Sequence, residues 1–305
     1  MHKRLLGSSG IETSALALGC WRLHHLPQAQ LIELIDSAFN NGINCFDHAD
    51  IYANGESESQ FGQALATMAM PRSRVILQSK CGIRSGYYDL RKAHILESVD
   101  AILNRLQTDY LDVLLLHRPD ALMEAEQIAE AFSTLLTSGK VRHFGVSNFK
   151  PTQIQLLQRQ LPMPLLVNQL QFGLAHTGLI DSGINTNIHN DAAINRDSDV
   201  LDYCQLNNIT VQAWSPLQFG MFEGNFIDHP RYPELNSTLA RISEHYSVGK
   251  SALALAWILR HPANMQVIVG STKASRIEQM AKATTISLSH EHWYELYRAA
   301  GNQLP

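Results

Sequence analysis

Eight short apolar runs with little polar alternation, amphipathic helical stretches between them, and a length of 305 residues predict an α/β protein whose parallel sheet closes into a (β/α)8 TIM barrel. A parallel strand in such a fold is covered on both faces, which removes the alternation expected of a half-exposed strand. An open, doubly wound sheet is the alternative. The length suits one barrel-sized domain over residues 1–305, and no linker or low-complexity stretch divides it.

The first unit is SALALGCW followed by QLIELIDSAFNNG, in which Leu31, Leu34, Ile35 and Ala38 form one stripe and Gly42 supplies the stop. In the second, INCFDHAD leads to a helix entered at a Ser57 to Gln60 capping box, whose side chains would satisfy the first free amides. The third joins VILQSK to a helix carrying Ile95, Val99, Ile102, Leu103 and Leu106. LDVLLLH precedes a helix around residues 124–138, and VRHFGVSN one that starts near Pro151, where a missing N–H does no harm. LLVNQLQ, ITVQAWSPL and MQVIVGS complete the eight strands. Two long insertions, 172–197 and 218–236, break the rhythm, and loops of that length in a compact fold carry function or move.

Hydrophobic residues make up 45% of the chain and charged ones 17%, an ordinary globular balance. The formal net charge of −4 provides no global basic field for nucleic acid or an anionic membrane. Cys20, Cys45, Cys81 and Cys204 have neither CxxC nor metal-like spacing, which fits reduced thiols in a cytoplasmic protein. Basic residues precede apolar ones at the start, but GSSGIETS interrupts any continuous apolar core of a signal peptide, and no run approaches the length of a membrane span.

The polar residues that close successive strands are Asp47, with Tyr52 just beyond it, then Lys80, then His117. In a barrel these ends converge on the face where active sites of this fold lie. One such residue is ordinarily a satisfied polar group; four at consecutive strand ends point to a site. At these residues the sequence resembles the aldo-keto reductase superfamily: FDHADIY, SKCGI, LLLHRPD, GKVRHFGVSN, NQLQ, AWSPL and GSTKASRIEQ match its motifs in order over nearly the whole chain. The spelling of DHADIY, SKCGI and HRPD is similar to the bacterial YdhF-type oxidoreductases. The resemblance implies a catalytic tetrad of Asp47, Tyr52, Lys80 and His117 in an NADPH-dependent enzyme that reduces aldehyde and ketone carbonyls. Tyr52 would be the general acid; a free phenol has a pKa of about 10, and a nearby Lys80 ammonium would lower it. Asp47 would hold Lys80, and a neutral His117 would orient the substrate oxygen.

No GxGxxG follows any strand, so a Rossmann site is not expected. VIVGSTKASRIEQ instead carries the last strand into a helix marked by a Ser275 to Glu278 capping box, at the place where barrels favour phosphate, with Lys273 and Arg276 as local cations. The resemblance implies that Ser271, Thr272, Lys273 and Arg276 hold the adenosine 2'-phosphate, that Gln279 reaches the adenine, and that Gly270 also belongs to the cofactor site. Two cations favour NADP over NAD, since the extra phosphate gains charge-assisted bonds. It also implies nicotinamide contacts from Ser147, Asn148 and Gln169, stacking on Trp214 where the family commonly has Tyr, and a pyrophosphate lining of Ser215, Pro216 and Leu217 with residues 218–225 folding over it. Met221 and Phe222 in that loop are read equally well as packing residues.

Trp21, Tyr52 and His117 are expected to wall the carbonyl pocket, with Tyr87 or Tyr88 as further candidates and the 172–197 insertion as a candidate lid. The resemblance implies that Asp50 is either structural or a cofactor contact near the nicotinamide ribose. His48 alternates away from Asp47 and should face the helical layer. His24, His25, His176 and His189 lack metal-ligand spacing and are read as surface residues, so no metal is expected. Arg84 and Arg91 are candidates for a substrate carboxylate, although a solvated loop suits them better. Two rivals remain: a nicotinamide-nucleotide-binding redox sensor without turnover, and an aldolase using Lys80 as a Schiff base. Metal-dependent hydrolysis lacks the HxH pair it would need. A monomer acting on a small carbonyl molecule, without nucleic acid or membrane partners, is the expectation.

Overall fold

The computed structural model describes residues 1–304. At its centre eight parallel strands close into a barrel: β1 (Leu16–Gly19), β2 (Cys45–Asp47), β3 (Ile76–Cys81), β4 (Leu111–Leu116), β5 (Val141–Ser147), β6 (Leu165–Gln171), β7 (Thr210–Trp214) and β8 (Gln266–Val269). Each strand pairs with its neighbours in sequence, and β8 pairs with β1 to close the ring. Every one of the eight apolar runs supplies a barrel strand, and the doubly wound alternative is excluded. β3, β4 and β6 are buried along their whole length, which is the physical reason their sequences lack alternation.

The surrounding helices are α1 (Gln28–Asn40), α2 (Glu56–Thr67), α3 (Lys92–Leu106), α4 (Ala125–Thr137), α5 (Pro151–Gln158), α6 (Gly178–Ile184), α7 (Val200–Leu206), α8 (Pro233–His245), α9 (Lys250–Leu259), α10 (Ala274–Ala281) and α11 (His290–Ala299). α1 buries the predicted stripe of Leu31, Leu34, Ile35 and Ala38. Gly42, at φ 81°, turns the chain beyond its end. α3 buries Ile95, Val99, Ile102, Leu103 and Leu106, and α5 begins at Pro151.

Neither predicted capping box forms. α2 starts at Glu56, behind Gly55 at φ 89°. The positive φ favours glycine there, and a Cβ on Gly55 would stand 2.6 Å from the Arg105 side chain and have to displace it. The buried Ser57 hydroxyl donates instead to the Trp21 carbonyl at 3.3 Å, fastening α2 to the loop after β1. At α10 the Ser271 hydroxyl accepts from the Lys273 N–H at 3.1 Å, while Ser275 is exposed.

An antiparallel hairpin, Lys3–Leu5 with Glu12–Ser14, precedes the barrel. Its strands are too short to carry a periodic signal, and the sequence reading does not include it. It closes the N-terminal end of the barrel: Leu6 and Ile11 pack against Val113, Leu115, Leu166 and Val167, and the Gly7 N–H donates to the Thr210 hydroxyl at the first residue of β7. The first insertion folds as α6 and is tied outward, the Tyr297 hydroxyl of α11 donating to Asp181 at 2.8 Å.

α9 and α11 are joined by a reciprocal clamp. The Trp257 and Trp293 rings stack with centroids 4.8 Å apart, and each indole N–H donates to the other's backbone carbonyl at 3.0 Å. Trp293→Ala should remove both the packing and the paired bonds and lower the free energy of unfolding by about 3–5 kcal/mol, read from urea titrations. A loss under about 1 kcal/mol would show that this clamp does not hold the two helices.

Candidate active site

Because β2, β3 and β4 are neighbours, the residues that end them stand side by side at the C-terminal rim. The ladder even runs on past the strands: the His48 N–H donates to the Gln78 carbonyl, the Asp50 N–H to the Lys80 carbonyl and the His117 N–H to the Cys81 carbonyl, at 2.8, 3.0 and 2.9 Å. This fixes the backbone on both sides of the predicted tetrad. Lys80 Nζ donates to Asp47 Oδ2 at 2.8 Å, to the His48 carbonyl at 2.7 Å and to the Tyr52 hydroxyl oxygen at 3.1 Å. The Tyr52 and His117 rings meet edge to face with centroids 6.1 Å apart. All four side chains therefore lie together. Lys80 and Asp47 are buried beneath, and Tyr52 and His117 face a cavity.

A buried carboxylate needs partners for each oxygen. Asp47 Oδ1 accepts from Gln78 Nε2 at 2.5 Å and from Gln169 Nε2 at 3.0 Å. Gln78 and Gln212 exchange amide bonds at 2.8 and 3.0 Å, Gln212 donates to Gln266 at 2.7 Å, and Gln266 donates to the Thr13 hydroxyl and Ser14 carbonyl of the hairpin. A chain of amides thus crosses the barrel interior from Asp47 to its closed end. The sequence reading missed Gln78, Gln212 and Gln266; the available signal was polar residues at interior positions of otherwise apolar strands, Gln78 lying two residues before Lys80. For Gln169 the side-chain nitrogen is committed to Asp47 and Gln212, which leaves its side-chain oxygen Oε1 for a ligand.

The electrostatics follow from burial and these pairs. Burial pulls the Lys80 ammonium down, but Asp47 and Tyr52 more than offset it, and the group ends above its ordinary value. Lys80 pulls the Tyr52 phenol down as the sequence predicts, yet burial, aided by Asp47, outweighs it and the net direction is upward. His117 is driven well below the usual imidazole range by burial, then by Lys80 and Arg118, and its Nδ1 is buried without a partner. His48 is fully buried with its ring 4.5 Å from that of Phe61 in α2, and burial followed by the Lys80 charge pushes it down to about 3.

The cavity encloses about 1270 Å³, beyond the roughly 300–1,000 Å³ of an ordinary small-molecule pocket. Beside β2 to β4 it is lined by Trp21, Ile51, Tyr52, Ile83, His117 and Arg118; beside β5 to β7 by Ser147, Asn148, Gln169, Trp214, Ser215, Pro216 and Leu217; and beside β8 and α10 by Gly270, Ser271, Arg276 and Gln279. Trp214 Nε1 donates to Asn148 Oδ1 at 3.2 Å, Asn148 Nδ2 to the Ser147 hydroxyl at 2.8 Å, and that hydroxyl to the Gln169 carbonyl at 3.0 Å. The loop after β7 covers this part: Gln218, Phe222, Gly224, Asn225, Ile227 and Asp228 line the cavity. The Phe222 ring stacks 5.4 Å from Trp21 and 6.0 Å from Trp214, while Met221 is exposed.

Thr272 and Lys273 are not among the residues that line the cavity, and Lys273 is exposed at the start of α10. Tyr87 and Tyr88 lie exposed on a small hairpin, and no residue of 172–197 lines the cavity, because that insertion is held by α11 instead. His25 is exposed, as the surface reading expects, and His24 half-buried; both stand at the cavity rim, with His24 Nδ1 3.4 Å from the Ser57 hydroxyl. Asp50 is not among the residues that line the cavity. One of its carboxylate oxygens is buried without a partner, and burial, then the nearby Glu58, push the group up to about 7. Arg91 is paired with Asp89, and Arg84 stands 3.5 Å from the His94 ring. Arg22 and Arg118 are lining residues the sequence reading did not single out. Arg22 donates to the Gly270 carbonyl, and both burial and the neighbouring Arg276 charge lower it.

A closed barrel with a dinucleotide-sized cavity and this cluster at its C-terminal rim defines a ligand-binding (β/α)8 protein of the enzyme type. The profile of the Aldo/keto reductase family matches residues 15–300, and the chain belongs to that family, as an oxidoreductase. It is 35% identical to Oxidoreductase YdhF of Escherichia coli over 97% of this chain and 96% of that protein. It is also 35% identical to Uncharacterized oxidoreductase YcsN of Bacillus subtilis, over 99% of this chain and 100% of that one. An aldo-keto reductase from Klebsiella pneumoniae, solved in complex with NADPH, superposes with a TM-score of 0.76 at 27% identity, over 98% of this chain and 95% of that one. Among the described residues no helix is long and apolar enough to cross a membrane.

Asp50 provides a test of the electrostatics. Its folded value near 7 lies above the usual 3.8, so between about pH 4 and 7 the native protein holds a proton that the unfolded chain has lost. This contribution to stability should fall as pH rises through that window. Asp50→Asn should flatten the fall and raise stability at pH 8 by a few kcal/mol, measured by denaturant titration at several pH values; an unchanged pH profile would refute it.

Proposed function

We propose that the protein is an NADPH-dependent reductase of aldehydes and ketones in which Tyr52 is the proton donor. The observation that carries this reading is the Lys80 ammonium, 2.8 Å from Asp47 and 3.1 Å from the Tyr52 oxygen, directly beneath a cavity too large for a small substrate alone. Residues suited to hold a dinucleotide line that cavity. Trp214 offers a ring face, Ser147, Asn148 and the Gln169 side-chain oxygen offer partners for a carboxamide, and Ser271, Arg276 and Arg22 offer an anion site at the start of α10. Arg276 has no acidic partner among the described residues, as a cation meant for phosphate requires. The NADPH bound to the Klebsiella protein supports the same cofactor here.

When bound, the reduced nicotinamide supplies the hydrogen and electron pair that the carbonyl carbon takes up. The substrate oxygen gains negative charge and takes the Tyr52 proton. Burial keeps that phenol protonated at neutral pH, so the donor is loaded before substrate arrives. Lys80 stabilises the phenolate left behind, and Asp47, fixed by Gln78 and Gln169, holds Lys80 in reach. The neutral His117 orients the substrate oxygen from the other side. A Schiff-base role for Lys80 is disfavoured, because that chemistry needs a neutral amine and this ammonium is stabilised. The complete cluster equally favours turnover over a sensor that only holds the nucleotide.

Tyr52→Phe should lower carbonyl reduction by about 10²- to 10⁴-fold with NADPH affinity nearly unchanged, measured by steady-state assay and by fluorescence titration. Turnover near the native rate would remove Tyr52 from the mechanism. Arg276→Ala should weaken NADPH roughly tenfold and NADH far less, and equal losses for the two nucleotides would sink the 2'-phosphate assignment.

A further inference from the structure

The charges facing the cavity do not balance around a cofactor alone. Of the carboxylates in its lining, Asp47 is taken by Lys80 and Asp228 by Lys250. The arginines in the lining, Arg22, Arg118 and Arg276, form no ion pair among the described residues. Arg22 and Arg276 share the end beside β8 and α10, where phosphate is expected. Arg118 is elsewhere. It follows His117 directly after β4, near enough for its charge to act on that ring, and lines the same cavity as Trp21, Ile51 and Ile83.

We propose that the substrate is a carbonyl compound bearing a carboxylate, and that Arg118 receives that carboxylate. The inference rests on the reductase reading and names its substrate class. A partly buried guanidinium without an acidic neighbour is a standing site for an anion that it can grip through two parallel N–H bonds. The carboxylates closest in sequence are committed elsewhere: Asp120 accepts from the Leu90 and Leu122 N–H groups, and Asp89 pairs with Arg91. Pro119 confines the Arg118 backbone to extended conformations, which limits the directions open to its side chain. A single guanidinium suits a monoanion; a phosphate would call for a second cation, as beside α10. Because the Arg118 charge acts on the His117 ring that would orient the carbonyl, the substrate reaching both is a short or aromatic aldehyde acid.

The test pairs 4-formylbenzoate with its neutral methyl ester, reduced by the wild-type protein and by Arg118→Leu and Arg118→Lys. The wild type should prefer the acid in kcat/KM by at least about tenfold, and the preference should weaken with added salt. In Arg118→Leu the acid-to-ester ratio should fall roughly 10- to 100-fold, mostly through KM, and Arg118→Lys should restore part of it. A wild type indifferent to the charge, or a ratio unmoved in Arg118→Leu, overturns the proposal while leaving carbonyl reduction intact. Failure to reduce either aldehyde would strike the reductase reading instead. Calorimetric titration of the NADP-loaded protein with 4-(hydroxymethyl)benzoate then decides separately: binding that Arg118→Leu weakens at least about tenfold upholds the assignment, and absent or equal binding refutes it.

Discussion

A lysine ammonium and an aspartate carboxylate lie side by side in the barrel interior, each almost wholly out of water, and the site is organised around making that tolerable. Taking either ion from solvent alone costs several kcal/mol, and removing one member of such a pair commonly destabilises by about 3–5 kcal/mol because the other is left bare. The pair persists here because every position around it is filled. Lys80 has three acceptors for its three protons, and both Asp47 oxygens have donors. One of those acceptors is the Tyr52 oxygen, so the same geometry that satisfies the ammonium ties it to the phenol.

The supports for this pair come from strands far apart in the chain. Asp47 ends β2, Lys80 lies in β3, Gln169 in β6 and Gln212 in β7, and only closure of the sheet brings them into one layer. An open sheet would leave the β3 and β6 amides on separate stretches of a single face. Closure therefore does more than bury apolar area: it assembles the ligands of a buried carboxylate. Gln266 carries the arrangement on to Thr13 and Ser14, so the N-terminal hairpin is also part of the support.

The barrel strands were legible because burial on both faces writes long apolar runs, and the tetrad because its members close consecutive strands. What stayed hidden depends on side chains meeting across the fold. Ser57 and Ser275 have the spelling of capping residues, but the first is drawn to the Trp21 carbonyl and the second is left to solvent. The three-residue strands of the hairpin are below the length at which periodicity speaks. His24 and His25 in a short 3-10 turn, and Arg22 and Arg118 in loops, reach the cavity rim by a course that tertiary packing sets, so nothing local marks them. The 172–197 insertion resembles a lid in length, but its anchoring to α11 is a contact 116 residues away in sequence.

The glutamine chain below Asp47 has an electrical consequence. Primary amides neither gain nor lose protons in the biological range, so the floor of the barrel conducts none. The nearest thiols offer no path either, since Cys45 is pushed up to about 12 and Cys20 well above its ordinary value, by burial in both cases. In the proposed role of Tyr52, its proton would be restored from the cavity side, along the mouth where His24 and His25 stand.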